Sequence, residues 1–163
     1  MIAARAGAAC VALLLAACAQ LPRSPVVDAA SGEVRSGRLA LSVQDQPSQS
    51  FSAGFELRGR PQAGQLTLLN PLGGTLALLQ WQPGTAVLQT PGQPPQQFAS
   101  IEEMVEKAAG AAIPVAALFD WLEGVNTPVP GWQADLSQLA EGRLRAQRHE
   151  PPPQADLRVV LDR

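Results

Sequence analysis

From Gly37 onward, apolar and polar residues alternate with a period of two, as in strands that bury one face. Residues 37–43 set Leu39, Leu41 and Val43 on one side. Residues 51–57 set Phe51, Ala53, Phe55 and Leu57 against Ser52, Gly54 and Glu56. Two leucine-rich strands follow, one carrying Leu66 and Leu68, the other Leu76 and Leu78. They flank a turn at 70–74, Asn-Pro-Leu-Gly-Gly. Pro71 fixes φ there, while Gly73 and Gly74 tolerate positive φ. Further strands are predicted at 85–90, 96–99, 132–136, 142–148 and 156–162. Turns rich in Pro, Gly and Gln separate the strands, at 44–49, 58–64, 83–84, 91–95 and 150–154. The pattern predicts a meander of short antiparallel strands.

Two segments change to a helical period. Ser100 is a good N-cap, Glu103 completes a capping box, and Gly110 ends the first helix. Ile101, Met104, Val105 and Ala108 form its apolar stripe. The second helix is predicted to start with Pro114 at its first position, run to Glu123 and stop at Gly124. Val115, Leu118, Phe119 and Leu122 share one face, with Trp121 beside them. Nine or ten strands and two helices predict a mainly β domain: a strongly curved sheet whose concave side the helices cover.

Leu72 stands out at the turn tip. A large aliphatic side chain in water forgoes burial it could have had elsewhere. It either folds back onto the core or meets something apolar. The residues alone favour folding back, since single exposed leucines are ordinary.

The amino-terminal segment brings in the compartment. One positive charge, Arg5, precedes an uncharged apolar run at 6–17. That run is too short for a membrane-spanning helix, which needs ~20 residues, and it fits the apolar region of a signal peptide. It ends in Leu15-Ala16-Ala17-Cys18, which resembles a bacterial lipobox. The resemblance implies cleavage before Cys18, diacylation of its thiol and acylation of the new amine. Cys10 does not compete, because Gly7 stands where the lipobox has an aliphatic residue. With Cys10 discarded and Cys18 lipidated, no cysteine remains for a disulfide or a metal. Several acyl chains on one residue make a stable anchor, at ~0.8 kcal/mol per buried CH₂. Ala19, in place of an aspartate, points to the outer membrane under enterobacterial sorting rules. The expected division is a signal peptide at 1–17, a lipidated tether at 18–35 and a folded domain at 36–163.

Charge removes one class of partner. Setting Arg5 aside leaves 11 basic residues against 14 acidic ones, with no electrostatic case for nucleic acid. Catalytic patterns are missing too. There is no Gly-x-Ser-x-Gly elbow, phosphate loop or dinucleotide fingerprint. The single histidine, His149, has no second histidine or free cysteine with which to share a metal. Asp120/Glu123 and Glu102/Glu103/Glu106 read as solvated helix faces, and Trp81, Trp121 and Trp132 as core. No enzyme, metal or cofactor is expected.

Several short motifs carry a family resemblance. They are Ser36-Gly37-Arg38-Leu39-Ala40, Asn70-Pro71-Leu72-Gly73 followed by Thr75-Leu76, and Pro83-Gly84. Ile113-Pro114-Val115, Leu118 to Gly124 with Trp121-Leu122-Glu123-Gly124, and Leu157 to Asp162 complete the set. In this order, at this spacing and behind a lipobox, they resemble the LolB family of outer-membrane lipoprotein receptors. The resemblance implies an open (half) barrel of antiparallel strands with a helical lid, enclosing an apolar cavity for acyl chains. It implies a soluble periplasmic partner, the carrier LolA, which hands over client lipoproteins. The receptor, anchored and facing the periplasm, then inserts them among outer-membrane phospholipids. It also implies that Leu72, between Pro71 and Gly73, is the apolar residue of the inserting loop. That, with the anchor, turns the expectation for Leu72 outward.

The expected cavity residues are Leu39, Leu41, Phe51, Phe55, Leu66, Leu68, Leu76 and Leu78 from the strands, with Leu118 and Trp121 from the second helix. A sixteen-carbon chain is worth ~12 kcal/mol against water at ~0.8 kcal/mol per CH₂. It therefore needs a shielded pocket at both ends of its route, and transfer can run downhill into the more apolar one. A monomer is expected. Two other readings fit less well: a LolA-like carrier, which a lipid anchor would hold back, and a lipoprotein that binds another apolar molecule or scaffolds a complex. Two departures from the family are visible. Residues 26–35 are short and lack a tryptophan-bearing helix, and 136–142 is short.

Overall fold

The computed structural model describes residues 33–45 and 50–163. The signal segment, Cys18, nearly all of the tether and most of the 44–49 turn lie outside the described residues. Among the described residues, nine strands form one antiparallel sheet: β1 (Arg35–Val43), β2 (Phe51–Arg60), β3 (Ala63–Leu69), β4 (Thr75–Gln82), β5 (Thr85–Gln89), β6 (Gln96–Phe98), β7 (Trp132–Asp135), β8 (Arg143–Arg148) and β9 (Ala155–Leu161). Their order across the sheet is β6-β5-β4-β3-β2-β1-β9-β8-β7. All neighbours but one follow each other along the chain, as short local turns dictate. The exception joins β1 to β9, with Leu39 opposite Val159 and Leu41 opposite Leu157. The sheet does not close, because β6 and β7 remain its two edges.

The two helices, α1 (Ile101–Ala109) and α2 (Val115–Leu122), come between β6 and β7. In α1 the Ser100 hydroxyl accepts the Glu103 N–H at 3.1 Å. The Glu103 carboxylate reaches back to the Ala99 N–H at 3.1 Å, one residue before the usual partner. Gly110 closes the helix at φ 68°, donating to Glu106 O. In α2, Pro114 is the residue before the first turn rather than its first member, and its carbonyl accepts the Leu118 N–H at 2.9 Å. Arg35, at the start of β1, pairs with Glu123 at the end of α2 at 3.2 Å. The pair lies at the end of β1 away from the 70–74 tip.

The apolar positions of the strands meet those of the helices in one core. Leu41, Phe55, Leu57, Leu79 and Trp81 from one half of the sheet join Leu144, Ala146, Leu157 and Val159 from the other. Met104, Val105, Phe119 and Trp121 cover them from the helices.

One predicted turn is instead strand. Residues 58–60 continue β2 and pair with 63–65, Gly59 opposite Gly64 and Arg60 opposite Ala63. The glycines serve close approach there, and Gly59 also takes φ 98°. A Cβ on Gly64 would lie 2.6 Å from the Trp81 ring, and one on Gly59 would lie 2.5 Å from Ala63 O. The tight turn is confined to Pro61 and Gln62. A short 3-10 turn, Leu139–Glu141, which the apolar pattern does not mark, occupies the brief connection before β8.

Candidate functional site

The helices do not pack flush onto the sheet. Between them lies a cavity of about 400 Å³, within the range of about 300–1,000 Å³ usual for small-molecule pockets. Apart from Thr90, every residue lining it is apolar. Leu39, Leu41, Phe55, Leu66 and Leu68 of the sheet contribute, as do Val105, Ala109, Val115, Leu118, Phe119 and Leu122 of the helices. Leu39, Leu66, Leu68 and Leu118 are only half-buried, because part of their surface faces the cavity instead of other side chains. An interior this bare of hydrogen-bonding groups favours a hydrocarbon occupant and offers a charged one nothing.

Its floor is held by an aromatic clamp. The Trp81 indole meets Phe119 edge-on, with centroids 6.3 Å apart at 69°. Its Nε1–H is satisfied by the carbonyls of Arg60 at 3.2 Å and Pro61 at 3.0 Å. Phe51 and Leu76 sit at the mouth, 37% and 43% exposed.

The tip between β3 and β4 projects from the same end of the sheet. Leu72 is 96% exposed. The fold-back expected from the residues alone therefore does not occur. Asn70 explains this. Its side-chain oxygen accepts the N–H groups of Leu72 and Gly74, each at 2.9 Å. Its backbone exchanges hydrogen bonds with Gly74 O at 2.8 Å and Gly73 N at 2.9 Å. Gly73 takes φ 82°. Gly74 does not use the positive φ expected of it; a Cβ there would meet Asn70 Nδ2, at the end of the side chain that closes the turn, at 2.8 Å.

A family profile described as "Outer membrane lipoprotein LolB" matches residues 34–153. The chain belongs to the LolB family. Among its relatives, the "Outer-membrane lipoprotein LolB" of Bordetella petrii is 33% identical over 178 aligned positions, covering 94% of this chain and 89% of that protein. The protein of the same name from Cupriavidus pinatubonensis is 36% identical over 136 positions, covering 81% of this chain and 65% of that protein. That of Ralstonia nicotianae is 38% identical over 104 positions, covering 64% and 49%. The chain thus spans from about half to nearly nine-tenths of the length of these three relatives.

Within this LolB-family fold, eight of the ten residues expected at the cavity line it: Leu39, Leu41, Phe51, Phe55, Leu66, Leu68, Leu76 and Leu118. Two do not. Leu78 stands in register with Thr67 on β3 and Gln89 on β5, on the outer face of the sheet. Strict alternation had paired it with Leu76. A β-bulge breaks that alternation, since Leu68 faces Ala77 while Leu69 faces Thr75. Inward residues beyond the bulge are therefore Ala77, Leu79 and Trp81. Trp121 is 1% exposed but lies behind the lining. Its Nε1–H donates to Thr127 O at 3.0 Å, and its ring stands 6.3 Å from Trp132. It anchors α2 to the 125–132 loop. Leu57, Leu79, Trp81, Leu88, Leu157 and Val159 line the cavity without having been singled out for it. Leu57 shares the alternating phase of Phe55, Leu79 stands opposite Leu66, and Leu157 and Val159 stand opposite Leu41 and Leu39.

The polar groups are placed elsewhere. His149 is exposed, as are Glu102, Glu103 and Glu106. Asp120 accepts the Thr127 hydroxyl at 2.7 Å. Among the described residues no group of three or more His, Cys, Asp or Glu is arranged to hold a metal. On the outer face Asp156 pairs with Arg145 and Arg158. Burial raises its pKa, but the hydrogen bonds and charges of the two guanidiniums outweigh this and hold it below the usual aspartate value.

Proposed function

We propose that this chain is an outer-membrane receptor that takes lipoproteins from the periplasmic carrier LolA and inserts them into the membrane's inner leaflet. Cys18 carries the lipid anchor. The client's acyl chains occupy the cavity between sheet and helices, and Leu72 enters the bilayer when they are released. The observation that carries this reading is the cavity's lining, apolar except for Thr90. Each CH₂ moved from water into it is worth ~0.8 kcal/mol. A chain can thus pass from carrier to receptor to bilayer without a nucleotide or a reacting side chain. Because Leu72 projects from the end where the cavity opens, the anchored protein can bring mouth and membrane together.

The test uses Cys18→Ala protein incubated with carrier loaded with a radiolabelled lipoprotein. Label is expected to move to the receptor in a stoichiometric complex. Retention of all label on the carrier contradicts the proposal.

A further inference from the structure

The bulge in β4 does more than correct the register, and its consequence rests on the function proposed above. Leu68 faces Ala77 and Leu69 faces Thr75, so Leu76 is the extra residue of the ladder, with no partner on β3. In an unbroken strand Leu76 and Ala77 would point to opposite faces. A bulge re-aims one side chain, and here both Leu76 and Ala77 line the cavity. The lining therefore extends one leucine further toward the tip than alternation allows. Exposure rises along this path: Leu68 is half-buried, Leu76 is 43% exposed and Leu72 is 96% exposed. Phe51 on β2, 37% exposed, stands at the mouth on the other side of β3.

From this we infer that Leu76 is the hand-over residue between cavity and tip, a positioning residue that keeps a departing acyl chain in apolar contact until Leu72 meets the bilayer. Without it, the chain would cross a strip bounded by Asn70, Gly74 and Thr75, and every exposed CH₂ would cost ~0.8 kcal/mol. The effect belongs to the rate of transfer. Leu76 lies at the mouth, so most of the bound chain rests on other residues, and affinity depends little on it.

The experiment uses the Cys18→Ala chain, a fluorescent sixteen-carbon fatty acid and phospholipid vesicles of phosphatidylethanolamine and phosphatidylglycerol. Leu76→Gln is expected to deliver the fatty acid to vesicles at least tenfold more slowly, a loss several-fold larger than any loss of affinity. Leu78→Gln, on the outer face, is expected to match the parent in both. Deleting Leu76 restores a regular β3–β4 ladder, and it is expected to slow delivery in the same way while the circular dichroism spectrum stays unchanged. Parental delivery rates in both Leu76 variants would overturn the inference and leave the proposed function standing. So would a loss of rate matched by an equal loss of affinity. A parent chain that fails to bind the fatty acid would overturn both.

Discussion

The side-chain oxygen of Asn70 accepts the backbone N–H of Leu72 at 2.9 Å and so helps hold the turn in which the leucine faces solvent. The same oxygen accepts Gly74 N–H at 2.9 Å, so the turn is closed from within and owes nothing to the core. An apolar side chain is thereby kept in water by its own loop, and on the function proposed above it is the group that meets the bilayer. Asn70→Ala removes both bonds. At about 0.5–1.5 kcal/mol for a typical hydrogen bond, the exposed pair is expected to be worth about 1 kcal/mol of stability. Urea unfolding should show that small loss, and vesicle transfer should slow while acyl binding is unchanged. Equal transfer by the variant would mean the fixed tip is incidental.

Leu72→Glu places a charge on the tip and leaves the cavity as it is. Client lipoproteins are expected to load normally from the carrier and then to stay on the receptor, unreleased into liposomes. A parallel loss of loading and release would make Leu72 merely structural.

Gly64→Ala tests the floor of the cavity. The new methyl group would lie 2.6 Å from the Trp81 ring and 2.5 Å from Arg58 O. Overpacking of this kind costs about 1–3 kcal/mol, and the tryptophan it displaces carries the contact with Phe119. The urea midpoint should fall by a corresponding amount, with weaker fatty-acid binding. An unchanged midpoint would show that β3 and β4 separate freely.

Asp156 gives a pH signature. Its folded pKa lies below the unfolded value, so the stability it contributes is present above the ordinary aspartate range. That stability is lost as pH falls through the lower, folded value. The partner guanidiniums are largely exposed, and screening limits the effect to about 1 kcal/mol or less. Between neutral pH and roughly pH 3, the parent should lose slightly more stability than Asp156→Asn. Identical acid profiles would remove Asp156 from the account.

Much of this architecture is legible in the sequence, and the places where it is not have physical causes. Period-two alternation locates the strands because one face of the sheet is apolar. Capping residues locate α1 because Ser100 and Gly110 satisfy groups that the helix ends leave unpaired. Alternation fails at Leu78 because a bulge is an irregularity of pairing between two strands and leaves no mark on either strand alone. Trp121 misleads for a different reason. It lies about 80° round the helix from the middle of the stripe of Leu118 and Leu122, close enough to be grouped with them and far enough to pack against Trp132 instead. Glycines 59 and 64 read as turn formers because composition does not separate a glycine that bends the chain from one that lets two strands approach. The cavity itself is a failure of sheet and helices to fill the space between them. Its walls are readable as apolar faces, but its emptiness depends on how far the helices stand off.

On the function proposed above, a client's acyl chain rests between the sheet and the helices. A client lipoprotein bearing a photoreactive group near the end of an acyl chain tests it most directly. After transfer from the carrier and irradiation, cross-links are expected on Leu66 or Leu68 of β3 and on Val105 or Leu118 of the helices. Leu78, one strand position away on the outer face, should carry none. Cross-links confined to the outer face or to the tip, with the cavity residues untouched, would contradict the account.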